Sequence, residues 1–197
     1  MSQILQSLHK TLLAGLVLLI LIVFIAGAVS GSPIKITQAW MAFFFRWLHV
    51  VSGVMWIGLL WYFNFVQIPN MAKIPDEQKP AISKVIAPAA LFWFRWSALA
   101  TVVTGLIVAT LQGYVHEALR LQIGYAAIGI GMWLALIMAF NVWFIIWPNQ
   151  QKALGIVAAE PEAKAAAARL AMLTSRTNTL LSIPMLFMMV AQSHGGL

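Results

Sequence analysis

The fold class is decided by one stretch near the start of the chain, TLLAGLVLLILIVFIAGAV, which covers residues 11–29. It is rich in Leu, Ile and Val, and no ionisable residue lies between Lys10 and Lys35. An α-helix of about 20 apolar residues is long enough to cross a bilayer core of roughly 30 Å. The stretch is therefore predicted to be a transmembrane helix.

Four more apolar segments follow that stretch, near residues 40–66, 89–112, 122–147 and 170–192. The chain is 62% hydrophobic and 9% charged, with a mean hydropathy of +0.89, which leaves little room for a separate soluble domain. In lipid, every backbone polar group must be bonded within the protein, and this favours helices. We predict an all-α integral membrane bundle of about five transmembrane helices that forms a single domain over residues 1–197.

The basic residues are distributed unequally between the two sides of such a bundle. With five spans, the N-terminus shares one side with the loops 70–88 and 148–169, which hold most of the lysines. Cytoplasmic loops of membrane proteins carry an excess of Lys and Arg. We therefore expect a protein of the bacterial inner membrane with a cytoplasmic N-terminus and a periplasmic C-terminus. The net charge of +7 is interpreted as this topology signal, and no nucleic-acid partner is expected.

Three histidines then fall on the periplasmic side: His49, His116 and His194. An ionisable residue inside a span is unfavourable in lipid and is a functional candidate for that reason, and His49 fits this best. Imidazole is a common axial ligand of b-type haem, and copper also binds His. We predict His49 and His194 as haem or metal ligands and His116 as a further candidate, with Arg46 available to a haem propionate. Histidines that are hydrogen-bonded to a neighbouring helix are the alternative.

A second group of polar residues falls toward the cytoplasmic ends of the predicted helices. Amide and guanidinium groups near Trp143 and Trp147 could hold a planar, anionic heterocycle by hydrogen bonds and stacking. The predicted substrate-binding residues are Arg95, Asn141, Arg176 and Asn178, from a layer that also holds Asn64, Asn149 and Gln150. The alternative is that these groups cap helices and form interhelical hydrogen bonds.

Several functional classes are made improbable by residues that the sequence lacks. It has no cysteine, which excludes disulfides, thiolate clusters and a covalently attached c-type haem. No Asp or Glu lies within a predicted span, which argues against a proton pump and against a carboxylate-bound metal. Without cysteine, any redox centre would be bound through His, Met or a carboxylate.

Several separated strings resemble one known family when they are taken together. They are RWLHV (46–50), WIG (56–58), WPNQ (147–150), SRTNT (175–179) and SIPMLF (182–187), followed by His194. Over residues 40–197 they resemble the membrane domain of the PuuD-type bacterial urate oxidases (urate hydroxylases). The resemblance implies about eight spans and a C-terminal cytochrome c domain that receives electrons. With five predicted spans and no cytochrome motif, we expect the redox partner of this chain to be another polypeptide.

The leading functional prediction is an integral membrane protein of redox type, either a urate oxidase-like oxidoreductase or a subunit of one. It would bind b-type haem on the periplasmic side, pass electrons to a c-type cytochrome, and take a substrate such as urate from the cytoplasm. A cofactor-free accessory subunit of a respiratory or other membrane complex is one alternative. A copper-handling membrane protein is another. A homo-oligomer is compatible with all three.

Overall fold

The computed structural model describes residues 2–31 and 34–196. These residues are predominantly helical and contain no strand, so the all-α prediction is confirmed for them. By its internal packing, the chain divides after Trp40 into two compact units.

The first unit contains two helices, α1 (Ser2–Leu5) and α2 (Leu8–Val29). The hydroxyl of Thr11 donates to the carbonyls of Ile4 and Ser7, both at 3.0 Å, and so links the two helices. No residue of α2 is buried, although this is the most apolar of the long helices. Its whole surface is therefore suited to an apolar surrounding such as lipid.

The rest of the chain forms four long helical rods. They run over Gln38–Met71, Lys79–Leu111, Ala126–Ala153 and Pro161–His194. The first three, together with Leu8–Val29, are long and apolar enough to cross a membrane. The fourth rod contains the fifth predicted span and is the longest single α-helix, at 34 residues, but it is less apolar than the others.

Three of the rods are not uniform α-helices, because each contains a wider π-helical segment. The first rod consists of α3 (Gln38–Trp61), π1 (Tyr62–Gln67) and α4 (Ile68–Met71). The second consists of α5 (Lys79–Ala81), π2 (Ile82–Ile86) and α6 (Ala87–Leu111). After the short helix α7 (Val115–Leu119), the third consists of α8 (Ala126–Phe140), π3 (Asn141–Ile146) and α9 (Trp147–Ala153). The last rod is α10 (Pro161–His194).

The core of the bundle is apolar and draws on all four rods. Trp56, Leu60 and Met138 are fully buried within it, and α10 contributes Met185. The ring of Phe63 meets that of Phe94 edge-on, with 5.7 Å between the centroids. The principal packing partner of α10 is α8, which continues into π3 and α9. Two of the π-helical segments, π1 and π3, also pack against α10.

The helices extend beyond the apolar runs that predicted them. The predicted loops 70–88 and 148–169 shorten to residues 72–78 and 154–160. The helices before them continue to Met71 and Ala153, and the helices after them begin at Lys79 and Pro161. Pro80 and Pro161 occupy first-turn positions, where proline fits a helix well. From Pro161 the helix runs without a break into the last predicted span and ends at Gly195, which has a φ of +66°.

Candidate functional site

The three π-helical segments share one sequence feature, because each ends two residues before a proline. The prolines are Pro69, Pro88 and Pro148. Proline has no N–H and clashes with the carbonyl one turn earlier, so an ordinary α-helix is disturbed at that point. A widened turn is one way in which a helix accommodates such a disturbance. π-Helical turns are also frequent at functional sites.

Asparagine side chains bond to backbone carbonyls in and beside these segments. The Nδ2 groups of Asn64, Asn70 and Asn149 each donate to the carbonyl four residues earlier, at 2.9, 2.7 and 2.7 Å. Nδ2 of Asn178 crosses from α10 to the carbonyl of Met138, just before π3, at 2.9 Å. These bonds satisfy backbone acceptors at places where the regular helical pattern changes.

Hydrogen bonds between side chains connect the same region to α10. Ser175, Asn178 and Ser182 are buried on one face of α10 at helical spacing. Their partners are Asn64 (2.8 Å to Ser175), Asn141 (2.8 Å to Asn178) and Trp61 (3.0 Å to Ser182). These three polar residues of α10 therefore face the bundle, whereas its charged residues Glu162, Arg169 and Arg176 are exposed.

A cavity of about 90 Å³ lies where the three π-helical segments meet α10. Each segment contributes to its wall. The lining includes Phe63 and Gln67 from π1, Ile82 and Ser83 from π2, Ile146 from π3, Gln150 and Leu154 after it, and Ser175 from α10. The cavity is therefore built from the irregular parts of three helices and from the polar face of the fourth.

Two buried amide oxygens at this end of the bundle have no hydrogen-bond partner. They are Oε1 of Gln67, which lines the cavity, and Oδ1 of Asn64, whose Nδ2 holds Ser175 in the cavity wall. A buried acceptor without a partner costs about 1–3 kcal/mol. Of the two, Oε1 of Gln67 belongs to a residue of the cavity wall and can accept a hydrogen bond from an N–H or O–H group there.

The predicted substrate-binding residues lie in three different surroundings. Asn141 and Asn178 are buried and bonded to each other, while the guanidinium of Arg95 lies 3.7 Å from the ring centroid of Trp147. Arg176 is exposed. None of these four is among the described residues that line the cavity. Their role in substrate binding stays a prediction.

Sequence reasoning did not single out Gln67, although one signal could have found it. It lies one helical turn after Asn64 and two residues before Pro69, so it falls on the inward face of a disturbed helix. Its exposure is intermediate, yet its amide oxygen is fully shielded.

His49 is held in place by the neighbouring helix α6. Its Nδ1 lies 2.8 Å from the carbonyl of Thr101, and its ring packs on Gly105, where a Cβ atom would lie only 2.8 Å from Cε1. Since a carbonyl can only accept, Nδ1 carries the proton and Nε2 has a free lone pair. Metal-binding histidines are commonly oriented by a bond of this kind.

The other predicted cofactor-binding residues do not combine with His49 into a group of three metal ligands. His116, His194 and Arg46 are exposed, and Nδ1 of His194 lies 3.1 Å from the carbonyl of Val190. Among residues 2–31 and 34–196, no three His, Asp or Glu side chains are grouped closely enough to hold a metal ion. His49 thus offers one oriented imidazole, which fits a single axial position of haem or one copper ligand. A second ligand stays a prediction.

Arg46 lies close enough to Tyr114 to influence its ionisation. Burial raises the pKa of the Tyr114 phenol, and the positive charge of Arg46 lowers it in part. Tyr114 stacks on Tyr125 with 5.8 Å between the ring centroids. Beside Arg46 there is therefore a stacked pair of tyrosine rings.

A comparison with protein families gives one match, to the family described as urate oxidase N-terminal, over residues 122–196. This is less than half of the chain, but it includes α8, π3, α9 and the whole of α10. The match thus covers the Asn141–Asn178 pair and the cavity residues Gln150 and Ser175. Comparisons with curated proteins and with solved structures gave no significant match. Residues 122–196 are therefore similar to the N-terminal part of urate oxidases of this family.

Proposed function

We propose that the chain is the substrate-binding membrane component of a urate oxidase-like oxidoreductase. The observation that carries the proposal is the cavity between the π-helical segments, with the unpartnered amide oxygen of Gln67 in its wall. Part of that wall comes from the region that is similar to urate oxidases, including Gln150 and Ser175.

The chemistry of the cavity favours a small heterocycle with several ring N–H groups. The amide oxygen of Gln67 can accept hydrogen bonds, and the rings of Phe63 and Phe94 provide apolar walls. Purines such as urate combine a flat apolar face with N–H donors at the edge. Known ligand pockets begin at roughly 300 Å³, so this cavity must widen to admit a bicyclic ring. Met71 and Leu154 in its wall have the flexible side chains for that movement.

No Asp or Glu lines the cavity among the described residues, so its proposed role is to bind and orient the substrate. In the proposed topology it opens toward the lysine-rich, cytoplasmic side. His49 is the proposed ligand, through Nε2, of a b-type haem on the other side. When bound, that haem would accept electrons singly and pass them to a separate c-type cytochrome. The contribution of this chain is to hold the imidazole, through Thr101 and Gly105, in one orientation.

Equilibrium binding of urate to the purified full chain tests the substrate proposal. Replacing Gln67 by Leu removes the acceptor at nearly constant size, and we expect urate to bind about tenfold more weakly because one buried hydrogen bond is lost. The unliganded protein should be at least as stable as before, since a buried unpartnered group has been removed. Gln112→Leu, an exposed position after α6, is the matched control and should bind urate normally. Equal binding by both variants, or no binding of any purine by the natural chain, would refute the proposal.

A reduced-minus-oxidised visible spectrum, with metal analysis of the same sample, tests the cofactor. A b-type haem that disappears in His49→Ala, with expression unchanged, would support His49 as the ligand. Haem that persists in this variant would remove His49 from the proposal. Copper without haem would favour the copper-handling alternative.

The accessory-subunit alternative is favoured by one observation, the helix Leu8–Val29. It buries no residue, so its whole apolar surface is available to lipid or to another membrane protein. A colourless protein that copurifies with a stoichiometric partner and binds no purine would favour this function over the proposed one.

A further inference from the structure

Arg95 is a cation without a carboxylate partner. In the part of the chain that the structure describes, the one ion pair joins Lys79 to Asp76. The guanidinium of Arg95 instead lies over the indole ring of Trp147. The backbone carbonyl of Arg95 accepts a hydrogen bond from the indole N–H of Trp143, at 3.1 Å. A cation held against aromatic rings keeps its charge available to an anion.

The guanidinium lies at the level expected for a membrane interface. Trp147 is followed directly by the polar stretch Pro148 to Lys152, and tryptophans are enriched where the bilayer meets water. Side chains on a helix lean toward its N-terminus, and for α6 that direction is toward the same polar end. Arg95 can therefore extend its charge to the headgroup region from a backbone position deeper in the helix.

An apolar groove of about 400 Å³ begins next to this cation. It runs between α6 and the α8–π3 region, and its lining is Leu99, Val102, Leu136, Ala139, Phe140, Trp143 and Phe144. Leu99 and Val102 follow Arg95 on the same helix at one and two turns, so the groove continues along one face of α6. Trp143 belongs to both features, because it lines the groove and bonds to Arg95.

We propose that this face binds one anionic phospholipid, with an acyl chain in the groove and the headgroup phosphate at Arg95. The charge identifies the lipid class. A guanidinium without a carboxylate partner attracts a headgroup of net negative charge, whereas a zwitterionic headgroup adds a positive charge beside the phosphate. Guanidinium groups bind phosphate oxygens through two parallel hydrogen bonds. The site is separate from the cavity and does not depend on the proposed function.

Native mass spectrometry of the full chain in detergent tests the site, with phosphatidylglycerol and phosphatidylcholine of identical acyl chains as probes. We expect the natural chain to retain one phosphatidylglycerol in preference to phosphatidylcholine. Arg95→Gln should lower that preference about fivefold, the contribution of one basic residue near an anionic headgroup. Arg169→Gln removes the same charge from an exposed position on α10 and should leave the preference unchanged.

A second variant tests the groove without changing any charge. Leu99→Trp fills the groove at a position that is already partly exposed, so folding should tolerate it, and bound phosphatidylglycerol should be lost. Three results would overturn the inference: equal retention of the two lipids by the natural chain, equal losses in Arg95→Gln and Arg169→Gln, or undiminished binding in Leu99→Trp. Displacement of the lipid by an equal concentration of inorganic phosphate would identify a free-anion site and would also overturn it.

Discussion

Replacing Asn178 by Leu should destabilise the bundle more than any exposed substitution on α10. Asn178 is fully buried, accepts the Nδ2–H of Asn141 at 2.8 Å and donates to the carbonyl of Met138 at 2.9 Å. The variant leaves the buried side-chain amide of Asn141 without this partner, while the Met138 carbonyl loses the side-chain bond and keeps the backbone N–H of Asn141. Interhelical hydrogen bonds in membrane proteins are worth about 0.6 kcal/mol on average, with a maximum near 1.7. Two such bonds, with the cost of unpartnered groups, give an expected loss of about 2 kcal/mol in the free energy of unfolding.

The measurement is reversible unfolding of the purified protein in mixed micelles as the denaturing detergent is increased. Thr177→Ala is the control, because Thr177 is the exposed neighbour of Asn178 and its hydroxyl bonds only to the carbonyl of Leu173 within α10. Its effect should stay within about 0.5 kcal/mol.

A double-mutant cycle separates the asparagine pair from general packing. Replacing Asn141 and Asn178 together by Leu removes both members of the bond, so the double variant should lose about 1 kcal/mol less than the sum of the two single losses. A loss below about 0.5 kcal/mol in Asn178→Leu, or single losses that simply add, would refute the view that this pair holds the helices together.

Two further predictions concern other parts of the bundle. Gly105→Ala places a methyl group against His49 and should lower the free energy of unfolding by about 1–3 kcal/mol in the detergent assay. Gly58 has open space around it, so Gly58→Ala should be neutral or stabilising. Equal effects of the two substitutions would contradict the described contact between Gly105 and His49. Because burial raises the pKa of Tyr114 in the folded state, its contribution to stability is fully present below the ordinary tyrosine pKa of 10.0 and is lost as the pH rises through the raised value. Phenolate absorbance should therefore include a step above the ordinary range that Tyr114→Phe removes, and an unchanged titration would contradict this.

The helices could be predicted from the sequence because long apolar runs in lipid have few alternatives to a helix. The lower hydropathy of α10 shows the limit of that reasoning. Ser175, Asn178 and Ser182 contribute to that lower hydropathy, yet each is buried and bonded to another helix. Hydropathy depends on which residues are polar, but not on whether a neighbouring helix supplies their hydrogen-bond partners.

The candidate site was predictable only in part. Amides toward one end of the bundle were expected, and Asn141 and Asn178 do meet there. The sequence could not reveal that they bond to each other and leave Gln67 in the cavity wall. Pairing depends on helix rotation, and the π-helical segments change that rotation at positions that apolar periodicity does not mark. The proline two residues after the end of each π-helical segment was the one feature of the sequence that marked these positions.

The π-helical segments also change the direction in which later residues point around the helix axis. Each residue of an α-helix turns the chain by about 100°, so a wider turn rotates everything that follows relative to an unbroken helix. In the first rod, π1 lies between His49 and α4. Because of the extra rotation at π1, the residues before it and after it face directions that differ from those in a regular α-helix. The imidazole can therefore face α6 while Gln67, the last residue of π1, lies in the cavity wall. Removing a single residue from π1 would restore a regular α-helix. The part of the rod on one side of π1 would then rotate away from the helix against which it packs.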